Sequence, residues 1–347
     1  MNFSKGAFIC LFLFCLSTGG VHAAGPLSPV EAKYQAEYPA LFEKYSKAVT
    51  LIESPGRNPA GLKEANVLLG EIIKANLNFA PAYVAYARLT FLLGFDPGQL
   101  SNNLRPSYAE GTTDRVQAAA RQALNLEPSY ADAYLPIAFA HIYWGEFEQA
   151  RQALQMADAL GSKSPWLYLY NAKILFGERK YDAAKLLYQF VLDQEVTDKS
   201  AYHHALFELA NSYRFSRGYD EAEVWYLKAI DYAPRPSHLN TYASFLIYIR
   251  TDFDKAIEVG RRSMELETTY FTNFITGIAY YAKASTIEAE SGEYAAQPYL
   301  DTATEIFPEM LTAMSQLGNH RNTRHLSWFL DRKIRKTIEN ARSRKQT

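Results

Sequence analysis

Residues 131–165 read ADAYLPIAFAHIYWGEFEQARQALQMADALGSKSP. Apolar residues recur at helical spacing from Ala131 to Trp144, and Gly145 supplies a stop. Phe147, Ala150, Leu154 and Ala157 then line one face of a second helix. The stretch is a helical hairpin, and it is not alone. The positions of Phe147 and Ala150 return as Tyr181 and Ala184, as Tyr219 and Ala222, and as Phe253 and Ala256. Successive alanines stand 34, 38 and 34 residues apart, a period that belongs to stacked helical hairpins.

One hairpin of this size cannot bury its apolar face by itself, so each copy needs the next. Ala138, Ala172, Ala210, Ala150, Ala184, Ala222 and Ala256 are small enough to let helices approach closely. Tyr134, Tyr168, Leu206, Tyr188 and Tyr226 are expected to fill the spaces between neighbours. Ridges packing into grooves fix the crossing angle, and its constant sign coils the array.

On these residues the chain resembles the tetratricopeptide repeat family, as an exported bacterial member. The resemblance implies an all-α fold, a right-handed superhelical solenoid of antiparallel helix pairs closed by a C-terminal amphipathic capping helix. The match is strongest from Ala131 to Glu265. It departs from the family pattern at Gly260 and Ser263, where an aromatic and an alanine are usual, and at Val196 and Thr268, where proline is expected.

Outward from the clearest repeats (131–268), the same architecture extends over residues 24–317. Pro29 to Glu53 is one helical pattern with Pro39 as a point of kinking, closed by the breakers Ser54-Pro55-Gly56-Arg57-Asn58-Pro59. Helices follow at Leu62–Ala75 and Ala80–Leu93. Residues 94–112 are rich in turn formers and lengthen the connection into a loop that is either functional or mobile, read as an insertion lying at one edge of the array. Downstream of the clear repeats, Tyr270–Lys283 and Ala295–Phe307 read as a looser copy. A short helix is expected near Met310–Leu317, and residues 318–347 form a basic C-terminal helix and tail. There Leu326, Leu330, Ile334 and Ile338 make one apolar stripe, suited to covering the last face of an array.

The first 23 residues carry a basic start, an apolar run over Ala7–Leu16 and the A-x-A-like Val21-His22-Ala23, the pattern of a cleavable signal peptide. Both cysteines, Cys10 and Cys15, fall inside it. The expected mature chain therefore has no disulfide, thiolate site or cysteine nucleophile. No later segment is apolar enough to span a membrane, so the expected location is periplasmic or secreted. Charge is uneven: residues 319–347 hold nine Lys or Arg against Asp331 and Glu339, whereas residues 24–318 are net acidic.

No phosphate-binding loop, nucleophile elbow or H-E-x-x-H motif occurs. His203 and His204 are adjacent and diverge on a helix, His141 occupies a core-facing family position, and His320 and His325 lie in the basic tail. No metal, cofactor or catalytic residue is assigned, and export argues against a nucleic-acid partner.

The resemblance instead places functional residues on the inner face, lined by the first helix of each hairpin. Counted from the aligned alanines, these are Phe139 and Tyr143; Trp166, Tyr170 and Lys173; His204, Phe207, Asn211 and Arg214; and His238, Tyr242, Phe245 and Tyr248. Rings provide large contact area at small entropic cost. The charged clamp by which some relatives hold chaperone C-termini is not reproduced. Asn211 fits one of its slots, but Phe207 and Tyr242 replace a lysine and an asparagine.

The expectation is a non-catalytic scaffold holding a protein or peptide partner in an aromatic-rich concave groove. The alternative is a polymer-handling component of an exopolysaccharide or cell-envelope assembly system, with polysaccharide as partner. A carbohydrate-active enzyme is the third reading; it requires a deep cleft with two facing carboxylates.

Overall fold

The computed structural model describes residues 27–56, 58–100 and 106–308. The expected leader (1–23), the short helix expected at 310–317 and the basic C-terminal segment with its apolar stripe lie outside the described residues.

The fold is a run of helices packed in consecutive pairs. A first helix, α1 (Pro29–Glu37), leads into the pair α2 (Pro39–Ile52) and α3 (Pro59–Ala75). Then come α4 (Ala80–Gly94) with α5 (Thr112–Leu126), α6 (Tyr134–Trp144) with α7 (Phe147–Ala159), and α8 (Pro165–Gly177) with α9 (Tyr181–Leu192). The last three pairs are α10 (Lys199–Phe215) with α11 (Tyr219–Tyr232), α12 (Pro236–Phe245) with α13 (Phe253–Leu266), and α14 (Tyr270–Ser291) with α15 (Glu293–Ile306). First helices also touch the first helix of the next pair, as α4 does α6 and α6 does α8, so they share one face of the array.

Local chemistry sets these boundaries. Proline at the first helical position opens α1, α2, α3, α8 and α12, where its missing N–H has no partner to lose. Ser28 and Glu31 form a reciprocal capping box on α1. Asn58, Ser164, Asp198 and Asp252 cap α3, α8, α10 and α13 through their side-chain oxygens. Gly145 ends α6 in the left-handed region (φ 76°), and the amides of Gly145 and Glu146 close on the carbonyls of Ile142 and His141.

All seven alanines marked out by their spacing have no exposed surface. Tyr188 and Tyr226 are equally buried, and Leu206 nearly so. Tyr168 is a correction: it is 38% exposed, its ring resting on Phe190 with centroids 4.7 Å apart on the outer face.

Several boundaries also differ from the sequence reading. Pro39 separates two helices instead of kinking one. The hairpin at 131 opens with a 3-10 turn over Ala131–Ala133, because Pro136 has no N–H to give the first α-turn. α12 ends in a π-helical turn over Leu246–Arg250, released by Thr251 at φ 56°. α14 runs eight residues beyond Lys283, to Ser291, so the looser copy is an extensively paired hairpin.

The insertion has structure. β1 (Phe95–Leu100) and β2 (Pro106–Tyr108) pair antiparallel, with Phe95 opposite Tyr108, and the Ala109 amide donates to the Gly94 carbonyl at 2.8 Å. Pairing satisfies backbone groups that a bare loop would leave to water. β1 lies beside α14, so the insertion reaches from the second helix pair to the last.

Gly260 explains one departure from the family pattern. A Cβ there would lie 2.6 Å from the Thr276 hydroxyl of α14, so only glycine allows α13 and α14 to come this close. The neighbouring Ser263 hydroxyl donates to the Pro236 carbonyl at 3.2 Å, tying α13 back to the start of α12. Gly260→Ala should therefore cost about 1–3 kcal/mol by overpacking. The double change Gly260→Ala/Thr276→Ala should recover most of that loss. Urea-unfolding midpoints check this, and equal midpoints for wild type and the single variant would contradict it.

Candidate binding groove on the inner face

A ladder of rings crosses the first helices. Phe91 of α4 meets Phe139 of α6 edge-on at 4.5 Å, and Phe139 stacks on Tyr170 of α8 at 5.2 Å. Tyr170 touches Trp166 at 5.4 Å, and Trp166 touches His204 of α10 at 5.4 Å. Phe139, Trp166 and His204 are only partly covered and present ring surface. Beyond them Phe207 stacks on His238 of α12 at 3.7 Å, with planes 8° apart.

The structure thus gathers Phe139 and Trp166 into one patch, with Phe207 in a second; Tyr170 is a correction, a core ring 8% exposed that forms the floor beneath the first patch. Tyr143, 37% exposed, packs edge-on against Trp144 at the end of α6. Arg214 lies over the Phe215 ring at 5.7 Å at the corresponding end of α10. Tyr242 and Phe245 are corrections: they are 1% and 0% exposed and belong to the core. Tyr242 donates to Glu223 at 2.9 Å and Phe245 packs on Tyr226 at 5.5 Å, so both are consumed in joining α12 to α11.

Three polar groups of the expected groove converge on one carboxylate that the sequence reading passed over. Glu208 accepts from Lys173 at 3.0 Å and from Asn211 at 3.1 Å, with His204 at 3.9 Å. Asn211 in turn accepts from the Tyr226 hydroxyl at 2.7 Å. Burial opposes the charge on Glu208, but Lys173, His204 and Asn211 outweigh it and hold the carboxyl down to about 2. Lys173 and Asn211 are therefore committed to an internal network.

A second network was not anticipated at all. Arg88 of α4 points across the array and bonds both Glu53, at the end of α2 (3.0 Å), and Asp198, the N-cap of α10 (3.2 Å). The Trp166 indole donates to the same Asp198 at 2.6 Å, and Arg88 lies 5.9 Å over the Trp166 ring. Nearby, the Arg235 side chain donates to the Pro55 carbonyl, 180 residues away in the chain. With β1 against α14, these contacts show the coil returning upon itself.

Beside Arg88 is a small recess of about 40 Å³ lined by Glu31, Tyr45, Tyr130, Asp132, Trp166 and Tyr170, among others. Motifs could not reveal it, because its walls come from α1, α2, α4, the turn that precedes α6, α6 itself and α8. The one readable hint was Arg88 itself, a charge on a helix whose neighbours Ala85, Ala87 and Leu89 are all core residues. Among the described residues no group of three or more His, Cys, Asp or Glu could hold a metal ion, and no helix is long and apolar enough to cross a membrane.

Glu53 shares one guanidinium with Asp198 in a buried place. Burial and the Asp198 charge push its carboxyl from an ordinary 4.5 up to about 7, against the pull of Arg88. The folded chain thus holds this proton more tightly than the unfolded one. The Glu53 contribution to stability is full below the ordinary carboxylate range and is lost as pH rises through about 7. Between about pH 5 and 8, wild type should lose about 1–3 kcal/mol more stability than Glu53→Gln. Urea midpoints at the two pH values test this; parallel changes in both proteins would contradict it.

No protein-family model matches the sequence, and no curated protein is significantly similar to it. Similarity appears among solved structures. The APC/C hetero-tetramer Cut9–Hcn1 aligns with a TM-score of 0.52 at 16% identity, over 72% of this chain and 45% of that one. The chain therefore spans less than half the length of that neighbour. Pseudomonas aeruginosa PilF aligns at a TM-score of 0.46 and 16% identity, over 66% of this chain and 92% of that one. YrrB, a TPR protein with an unusual peptide-binding site, aligns at 0.31 and 15%, over 71% and 96%. The period, the paired helices, the buried alanines and the Cut9–Hcn1 alignment agree: this chain has a tetratricopeptide-repeat fold.

Proposed function

We propose that this chain is a non-catalytic scaffold that binds a protein or peptide partner through the inner face of its array. The observation that carries this reading is the pair of partly exposed rings Phe139 and Trp166, both packed on the buried Tyr170 between them. Rigid rings on a preformed surface lose little entropy on binding and are the residue types that dominate interfaces. The contacts across the coil narrow the groove, so the partner is expected to engage this patch and not to run the length of the array.

The second reading, a polymer-handling component of an exopolysaccharide or envelope assembly system, rests on the same rings, which could stack on sugars. A carbohydrate-active enzyme fits less well: a recess of about 40 Å³ is far below the several hundred Å³ of ordinary ligand pockets. The site of action is proposed to be the periplasm or the exterior, from the leader alone. Mass spectrometry of the exported chain should then give a mature N-terminus after Ala23, and an intact Met1 would contradict it.

A photo-crosslinking residue at position 166 should trap a discrete partner in an envelope fraction. The same residue at Leu186, 73% exposed on α9 of the outer face, should not. Identical products at both positions would overturn the groove reading. Binding to a glycan array that survives removal of protein partners would favour the second reading.

A further inference from the structure

Four rings, Tyr45, Tyr130, Trp166 and Tyr170, and two carboxylates, Glu31 and Asp132, face the recess beside Arg88. The charges there do not balance. Arg88 is the cation in the wall, and its guanidinium is already shared between Glu53 and Asp198. Glu31 accepts from the Ser28 amide at 2.9 Å, the Ser28 hydroxyl at 2.8 Å and the Tyr45 hydroxyl at 2.6 Å; Asp132 accepts from the Ser162 hydroxyl. All of these donors are neutral. Among the described residues neither carboxylate forms an ion pair, although both line a recess walled largely by rings, which screens charge poorly.

We infer that this recess binds an alkylammonium group, with Glu31 and Asp132 as counter-charges and the four rings as its walls. Ring faces attract organic cations, and burial beside carboxylates strengthens the attraction. A metal ion is the poorer occupant, since hard cations need six or more oxygen ligands and no such cluster exists among the described residues. The volume, about 40 Å³, is about three times the roughly 10–15 Å³ that one water requires on the same measure, and suits an ammonium head with its adjoining methylene. Burial, helped by the Glu31 charge, pushes the Asp132 carboxyl upward against the Ser162 hydrogen bond and the Arg88 charge, a strain that a bound cation would relieve.

The ammonium can come from a lysine side chain of the partner or from a free amine. The lysine source rests on the scaffold reading; the site itself does not. The two are separated by titrating the full chain at low salt and about pH 8, where amines stay protonated. The probes are n-butylammonium, a short acetylated peptide with one central lysine, and 1-butanol as the neutral control, all read by calorimetry.

Saturable binding of butylammonium, none of butanol, and at least about tenfold loss in Glu31→Gln/Asp132→Asn is the expected result. Each replacement keeps one acceptor oxygen, for Ser28 at the start of α1 and for Ser162, and the Tyr45 hydroxyl can turn to accept from the new amide at position 31. If the double variant does not give the wild-type helical spectrum, Asp132→Asn alone serves, with about threefold loss expected. No saturation by butylammonium up to about 100 mM, or equal affinity in wild type and variant, overturns the inference. Butylammonium binding without peptide binding assigns the site to a free amine. Failure here alongside a specific crosslink at position 166 would overturn the ammonium site and leave the scaffold reading standing.

Discussion

Every hairpin in this chain depends on its neighbour, because a pair of helices this short cannot cover its own apolar face. The alanines at the helix crossings make that dependence workable. With no exposed surface at Ala138, Ala150, Ala172, Ala184, Ala210, Ala222 or Ala256, there is no room there for a larger side chain without moving a helix. Gly260 carries the same logic further, letting α13 and α14 meet where even a methyl would collide with Thr276. Close approach at regular intervals fixes the angle between pairs, and the angle coils the array.

Coiling brings distant residues together, and the chemistry of the inner face follows from that. Arg88 meets Glu53 and Asp198, Arg235 reaches the Pro55 carbonyl, and β1 lies against α14. Breaking such a buried ion network by removing one partner leaves a charge without compensation, so these contacts specify the coil even where their net stabilisation is small. They also shape the ring patch and recess, whose walls come from helices far apart in sequence.

This division explains what could be read beforehand. Packing within and between adjacent hairpins is local, with a period, and the spacing of Ala150, Ala184, Ala222 and Ala256 disclosed it. The inner-face placement of Phe139, Trp166, Tyr170 and Phe207 came from the family resemblance, counted from those same alanines. Two things were not legible. Burial by a third element cannot be counted from one helix, so Tyr242 and Phe245 were taken for groove residues when Glu223, Tyr226 and α13 enclose them. Contacts across the coil have no period at all, so Glu53, Arg88 and Asp198 carried no pattern, and the insertion's reach to α14 was invisible for the same reason.

The contact between Arg88 and Asp198 is therefore the most direct test of the account, since 110 residues separate them and only the coil brings them together. A double-mutant cycle on stability, using Arg88→Met and Asp198→Asn, measures that contact in isolation. The account predicts a coupling energy of about 1–3 kcal/mol between the two sites. Additivity within about 0.5 kcal/mol would contradict it and return the molecule to an open coil.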